Sequence, residues 1–198
     1  MNGFFPTSVK EIIRVKKEFK IDTSECDAEN KFFYAFNNFL EKLWDHNSRP
    51  IVIVCIGTDR STGDAFGPIV GSELTACNIP NLNIYGNLDS PVHAANLTKT
   101  LNIIKNKYQN PFILAVDACL GRMDHIGYVN IGEGSLRPGA GVKKNLPPVG
   151  EMYITGVVNV GGFMEHLVLQ NTRLGLVMNM AKIVSKGAAR SLRILMKN

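Results

Sequence analysis

Two kinds of hydrophobic pattern alternate along the chain. Residues 51–56 (IVIVCI) are apolar throughout and end at Gly57, and residues 112–118 (FILAVDA) are apolar except for Asp117. Continuous Ile/Val-rich runs of this length predict parallel strands buried on both faces. Residues 82–88, 127–131 and 152–158 predict three further strands. Between them lie apolar residues at helical spacing. In residues 31–44 (KFFYAFNNFLEKLW), Phe32, Phe33, Phe36, Phe39, Leu40 and Leu43 share one face. Further helices are predicted over residues 8–19, 64–77, 91–108 and from Thr172 to near the end of the sequence. Pro68 falls in the first turn of its helix, where amides lack intrahelical partners. Asp89-Ser90-Pro91 reads as a helix start, with Ser90 as N-cap and Pro91 at the first helical position. The last helix has Leu174, Val177, Ala181, Val184, Ala188 and Leu195 as its apolar stripe.

Strands alternating with helices imply an α/β fold. The expectation is a three-layer α/β/α sandwich around a mostly parallel sheet. The 198 residues form one domain on this reading, with residues 1–50 a helical leader packed on it. Functional residues in such sheets lie beyond the carboxyl ends of the strands.

Composition narrows the function classes. Net charge is +5, but no acid follows Glu165, while six bases do: Arg173, Lys182, Lys186, Arg190, Arg193 and Lys197. The first 165 residues hold 16 bases against 17 acids, so the excess sits on one amphipathic helix. A solvated face opposite an apolar stripe accounts for it, and no nucleic-acid partner is expected. No apolar run approaches the ~20 residues of a membrane helix, and the first residues carry no secretory pattern. Cys26, Cys55, Cys77 and Cys119 form no CxxC pair, which fits a reducing cytoplasm.

The candidate chemistry lies in three loops on the carboxyl edge. The first, GTDRSTGD, carries Thr58, Arg60 and Asp64; it has neither a P-loop ending nor GxGxxG. The second carries His93, and the third Asp117 and Cys119. Asp117 ends an apolar strand, where a carboxylate needs hydrogen bonds, a cation or a raised pKa. Asp64 alone reads equally as a helix N-cap. Together the two acids can share a proton, hold a metal or activate a water. His93 then serves as a base or ligand. A Cys119 nucleophile with His93 or His125 as base is a further option. Gly139 and Gly141 lie in a long loop, residues 132–148, suited to close backbone approach.

The motifs GTDRSTGDAFGPIVG, AVDACLG and PGAGVKKNLPPVGEMYITGVVN resemble the YyaC-type family of sporulation proteins. That family is similar to the spore germination protease and, more remotely, to hydrogenase maturation proteases. The resemblance implies their three-layer fold, a peptidase-like activity on a protein or peptide, and a cytoplasmic location in the sporulating cell or forespore. It places Asp64 and Asp117 on the catalytic acids of the germination protease and on nickel-binding acids of the maturation proteases. The third nickel ligand there is a histidine. The matching stretch, residues 139–148, has none, which leaves His93 as the substitute in any divalent-metal site. Arg60, Thr58, Gly139 and Gly141 complete the expected substrate contacts. A non-catalytic relative binding a spore protein or small ligand in the same crevice is the alternative. Self-association is left open, and no membrane contact is expected.

Overall fold

A computed structural model of the chain describes residues 17–45, 49–139 and 146–196. Six strands form one sheet: β1 (Glu18–Asp22), β2 (Ile51–Cys55), β3 (Asn83–Tyr85), β4 (Phe112–Gly121), β5 (Tyr128–Glu133) and β6 (Met152–Val160). Their order is β1-β5-β6-β4-β2-β3. β3, β2, β4 and β6 are mutually parallel, whereas β5 runs antiparallel to both β6 and β1. The sheet is thus mixed, with a parallel half that carries the predicted loops.

Helices cover both faces. α1 (Ala28–Leu43), α2 (Phe66–Ala76) and α5 (Leu174–Leu195) pack on one, and α3 (Leu97–Lys107) on the other. The alternation of β2 explains the division. Ile51, Ile53 and Cys55 join Phe32, Phe36 and Phe66 in the larger core, while Val52, Val54 and Ile56 meet Leu97, Leu101 and Ile104 in the smaller. A strand clad on both faces must be apolar at every position. The bases of α5 turn outward as a helical stripe requires. Arg190 lies over the Phe33 ring at 4.0 Å, and Arg193 donates to the Cys77 carbonyl.

Three expectations need correction. The helix predicted over residues 8–19 meets strand β1 at its end, and its remainder lies outside the described residues. Pairing of Phe19 and Ile21 with Ile131 and Val129 decides for strand. Ser90-Pro91 does not start a helix, because Val92 is drawn into a parallel bridge with Ile56. α3 begins only at Leu97, after a turn closed by Asn96, whose side chain accepts from the His93 N–H and donates to the Pro91 carbonyl. Leu174 is exposed at the first turn of α5, and the inner stripe is carried by Val177, Met180, Ala181, Val184, Ala188 and Leu192. A short helix, α4 (Glu165–Gln170), precedes α5 in a stretch to which the sequence pattern assigned no element.

Candidate functional site

The parallel half of the sheet contains a topological switch. From β2 the chain crosses by α2 on one face to β3, then by α3 on the other face to β4, which lies on the opposite side of β2. Loops leaving β2 and β4 therefore diverge and leave a crevice at their carboxyl ends. A cavity of about 300 Å³ occupies it. Thr58, Asp64, His93, Asp117, Cys119 and Gly139 all line it, together with Thr155 and Glu165.

Asp64 stands in a 3-10 turn (Gly63–Ala65) between β2 and α2. Close packing fixes that turn. Gly57 has φ +144°, and a Cβ there would stand 1.9 Å from the Asp64 carbonyl oxygen. A Cβ on Gly67 would stand 2.1 Å from the Ile56 carbonyl oxygen. The glycines of the GTDRSTGDAFGP motif thus let the first turn of α2 sit directly on the end of β2. The Asp64 backbone takes part, its carbonyl accepting from Thr58 N–H at 3.1 Å. Its carboxylate does not cap: neither the 3-10 turn nor α2 has a side-chain cap. The N-cap reading of Asp64 is therefore set aside. Burial raises its pKa, opposed by the nearby Ser61 hydroxyl and by the charge of His166 on α4. The Ser61 hydroxyl is buried and has no hydrogen bond of good geometry; its effect on Asp64 is that of a nearby dipole.

Asp117 lies within β4, opposite Thr155 of β6. It is 9% exposed and accepts one hydrogen bond, from the N–H of Ala118 at 2.9 Å. Burial raises its pKa well above the usual carboxylate range, and the Asp64 charge adds to the rise against the Ala118 N–H. A buried carboxylate near another negative charge holds its proton more tightly than one in water.

His93 is half-buried, and its Nδ1 accepts from the Ala95 N–H at 3.3 Å. A neutral ring therefore carries its proton on Nε2. Arg60 is exposed on its loop and does not line the cavity; Arg137, which sequence reasoning missed, does. Gly141 lies outside the described residues. Burial pushes the Cys119 thiol up to about 11, and His125 packs against Tyr128 instead of lining the cavity. A thiol that remains protonated is a poor nucleophile, so the cysteine option loses its basis. Thr155 and Glu165 were also missed. Thr155 sits inside an apolar strand pattern, and Glu165 on a helix of only six residues.

The metal option fares no better. Among the described residues no three His, Cys, Asp or Glu side chains are grouped so as to hold a metal ion. Asp64, Asp117 and His93 share the cavity without forming such a set. The donor set does not match a three-ligand nickel centre, so no chemical step is built on a metal.

Comparison with known proteins places the fold. The crystal structure of the NiFe hydrogenase maturation protease HycI from Thermococcus kodakarensis KOD1 superposes with a TM-score of 0.52 at 22% identity. The match covers 81% of this chain and 99% of that one. The uncharacterized protein YyaC of Bacillus subtilis (strain 168) is 56% identical over 139 residues, which are 70% of this chain and 68% of that protein. Among the described residues no helix is long and apolar enough to cross a membrane. The family described as protein of unknown function (DUF1256) matches residues 24–187, and the chain belongs to that family.

Proposed function

We propose that this protein is a peptidase-type hydrolase in which Asp64 and Asp117 activate a water molecule against a peptide carbonyl. The observation that carries the reading is the pair itself. Asp64, in the turn after β2, and Asp117, within the adjacent parallel strand β4, line one cavity of about 300 Å³, and burial raises the pKa of both. Paired groups poised this way divide acid and base roles. The likeness in fold to a maturation protease agrees with a peptidase but does not itself supply the activity.

The chemistry follows from one shared proton. The ionised carboxylate takes a proton from water as its oxygen adds to the carbonyl carbon. The protonated carboxyl donates to the amide nitrogen as the C–N bond breaks, giving a carboxylic acid and an amine. Neither step needs a group beyond the chain, the substrate and one water molecule. His93, with its proton on Nε2, is suited to donating a hydrogen bond to the substrate. Thr58, Gly139 and Arg137 wall the crevice, and Arg60 supplies positive charge from its exposed loop outside it. The substrate is a protein or peptide, and a spore protein by the YyaC-type resemblance.

The test is turnover of fluorogenic peptide libraries and of spore-protein extracts by wild type, Asp64→Asn and Asp117→Asn. Removing an acid–base group lowers kcat by ~10²–10⁴-fold. Hydrolysis that survives both substitutions sinks the mechanism. A wild type inactive on every substrate leaves the crevice as a non-catalytic binding site.

A further inference from the structure

We infer that the crevice binds its ligand as an added β-strand, and that the ligand is an extended polypeptide segment paired with the free edge of β4 from Ala118 to Gly121. The inference rests on the peptidase reading only for a reason why a polypeptide should come there; the pairing itself is argued from the backbone.

β4 runs farther than β2. The register between them ends at Cys55 opposite Val116, and the last bond runs from the Ile56 N–H to the Val116 carbonyl at 2.7 Å. β2 then turns away, and the Gly57 N–H goes to the Val92 carbonyl on the β3 side. β4 continues to Gly121, paired with β6 alone. The direction of its peptide groups is fixed by neighbouring bonds. Phe112 donates to Pro50 and Val116 accepts from Ile56, so even-numbered residues face the β2 side. The carbonyls of Ile113 and Gly121 accept from Glu151 and Gly161, so odd-numbered residues face the β6 side. The register shift between β4 and β6 skips Val158 of β6, which leaves this alternation along β4 intact.

Ala118 and Leu120 therefore present their N–H and C=O groups to the space that β2 vacates. One of these is occupied: the Ala118 N–H is bonded to Asp117 Oδ1. The Ala118 carbonyl and both polar groups of Leu120 have no partner among the described residues. The two residues are half-buried, whereas Leu114–Asp117 are buried. The unpaired acceptor of Ala118 and donor of Leu120 flank Cys119. That spacing takes the N–H and C=O of a single residue on a parallel strand, the same pattern that β2 makes with β4 below.

An open sheet edge is a template for another strand. Here it runs for four residues, or ~13 Å at ~3.3 Å per residue. It faces His93 and Ala94 across a cavity that also holds Asp64 and Asp117. A segment lying along it places a backbone carbonyl beside the acids without need of a particular side chain. The outer edges of β1 and β3 offer pairing as well, but they do not border the acids. Leu136, Leu146 and Leu169 line the remaining walls, so an apolar side chain fits beside the paired backbone.

The experiment uses the full chain carrying Asp64→Asn, which prevents turnover and leaves the β4 edge untouched. The probe is a random nonapeptide library with blocked ends at millimolar total concentration. Its counterpart is the same library N-methylated at every residue, which cannot donate and cannot approach a strand edge. The readout is residue-resolved amide exchange. The expected result is at least ~10-fold slower exchange at the Leu120 N–H with the unmethylated library and no change with the methylated one. The Cys119 N–H, already in the β6 ladder, stays constant. No protection at Leu120 with any unmethylated peptide overturns the inference, and so does equal protection by both libraries. Wild-type hydrolysis is scored separately: protection without turnover keeps the strand site and removes the peptidase, while turnover without protection does the reverse.

Discussion

Asp117→Asn separates a poised acid from a structural one. In the wild type the folded-state pKa of Asp117 lies above its unfolded value, chiefly through burial and secondarily through Asp64. For a raised pKa, the folded form binds the proton more tightly than the unfolded chain. Its contribution to stability is therefore fully present below the unfolded pKa, near 4, and is lost as pH rises through the folded value. Asp64, also raised by burial, acts in the same direction. Each unit of difference corresponds to about 1.4 kcal/mol. Asparagine keeps the shape, and its carbonyl oxygen can still accept from the Ala118 N–H. Its amide N–H groups then face the cavity, where the Asp64 carboxylate can accept. The substitution should raise stability at pH 7.5 by at least about 1 kcal/mol and leave it nearly unchanged at pH 3.5. For a chain of this size 1 kcal/mol moves Tm by about 2–4 °C. The assay is thermal unfolding across pH 3.5–8 for wild type, Asp64→Asn, Asp117→Asn and the double variant. Either single change relieves the same repulsion, so the gains should sum to less than additivity predicts. A loss of ~1–3 kcal/mol in Asp117→Asn at every pH, the cost of a mismatched buried hydrogen bond, would refute this reasoning.

Three further outcomes follow from the geometry. Gly67→Ala places a Cβ against the Ile56 carbonyl oxygen; unfolding in urea should show a loss of ~1–3 kcal/mol or more, as overpacking against rigid backbone does. Cys119, with its thiol raised to about 11 by burial, should react with iodoacetamide at pH 7.5 far more slowly than exposed Cys26, and Cys119→Ala should retain peptide hydrolysis; rapid loss of activity on alkylating Cys119 would restore the thiol as a candidate. Arg190→Ala removes a cation lying over Phe33 and a bond to Asn30, so Tm should fall by the equivalent of ~0.5–1 kcal/mol, while gel shifts at low and moderate salt should show no tight nucleic-acid binding in either protein.

Legibility in the sequence followed the strength of local signals. β2 and β4 stand out because strands buried on both faces leave no polar interruption, and α1 because its phenylalanines recur at one spacing. β1 was lost because a five-residue edge strand (EFKID) has only two apolar positions, and both also fit a helical stripe extending from residue 8. Its identity comes from its partner β5, which is more than a hundred residues away. The α3 start failed for a related reason. Ser90-Pro91 has the local chemistry of a helix cap, but a tertiary bridge from Val92 to Ile56 outweighs a cap worth ~1 kcal/mol. Arg137 and Thr155 carried no sequence signal because their place depends on which loops and strands meet at the switch.

The site itself was more legible than its surroundings because one residue does two things that leave a trace in sequence. An acid within an apolar strand is conspicuous, and Asp117 is the only one in β4. Its carboxylate occupies the Ala118 N–H, the next group on the β4 edge after the last bond to β2. The side chain thereby ends one ladder at the level where the crevice begins. Asp64 completes the arrangement from the other side, since the glycine contacts that seat α2 on the end of β2 also set its turn beside β4. Both acids are thus placed by backbone close to regular structure, and neither depends on a long loop. That rigidity keeps two carboxylates together despite the cost of their charge.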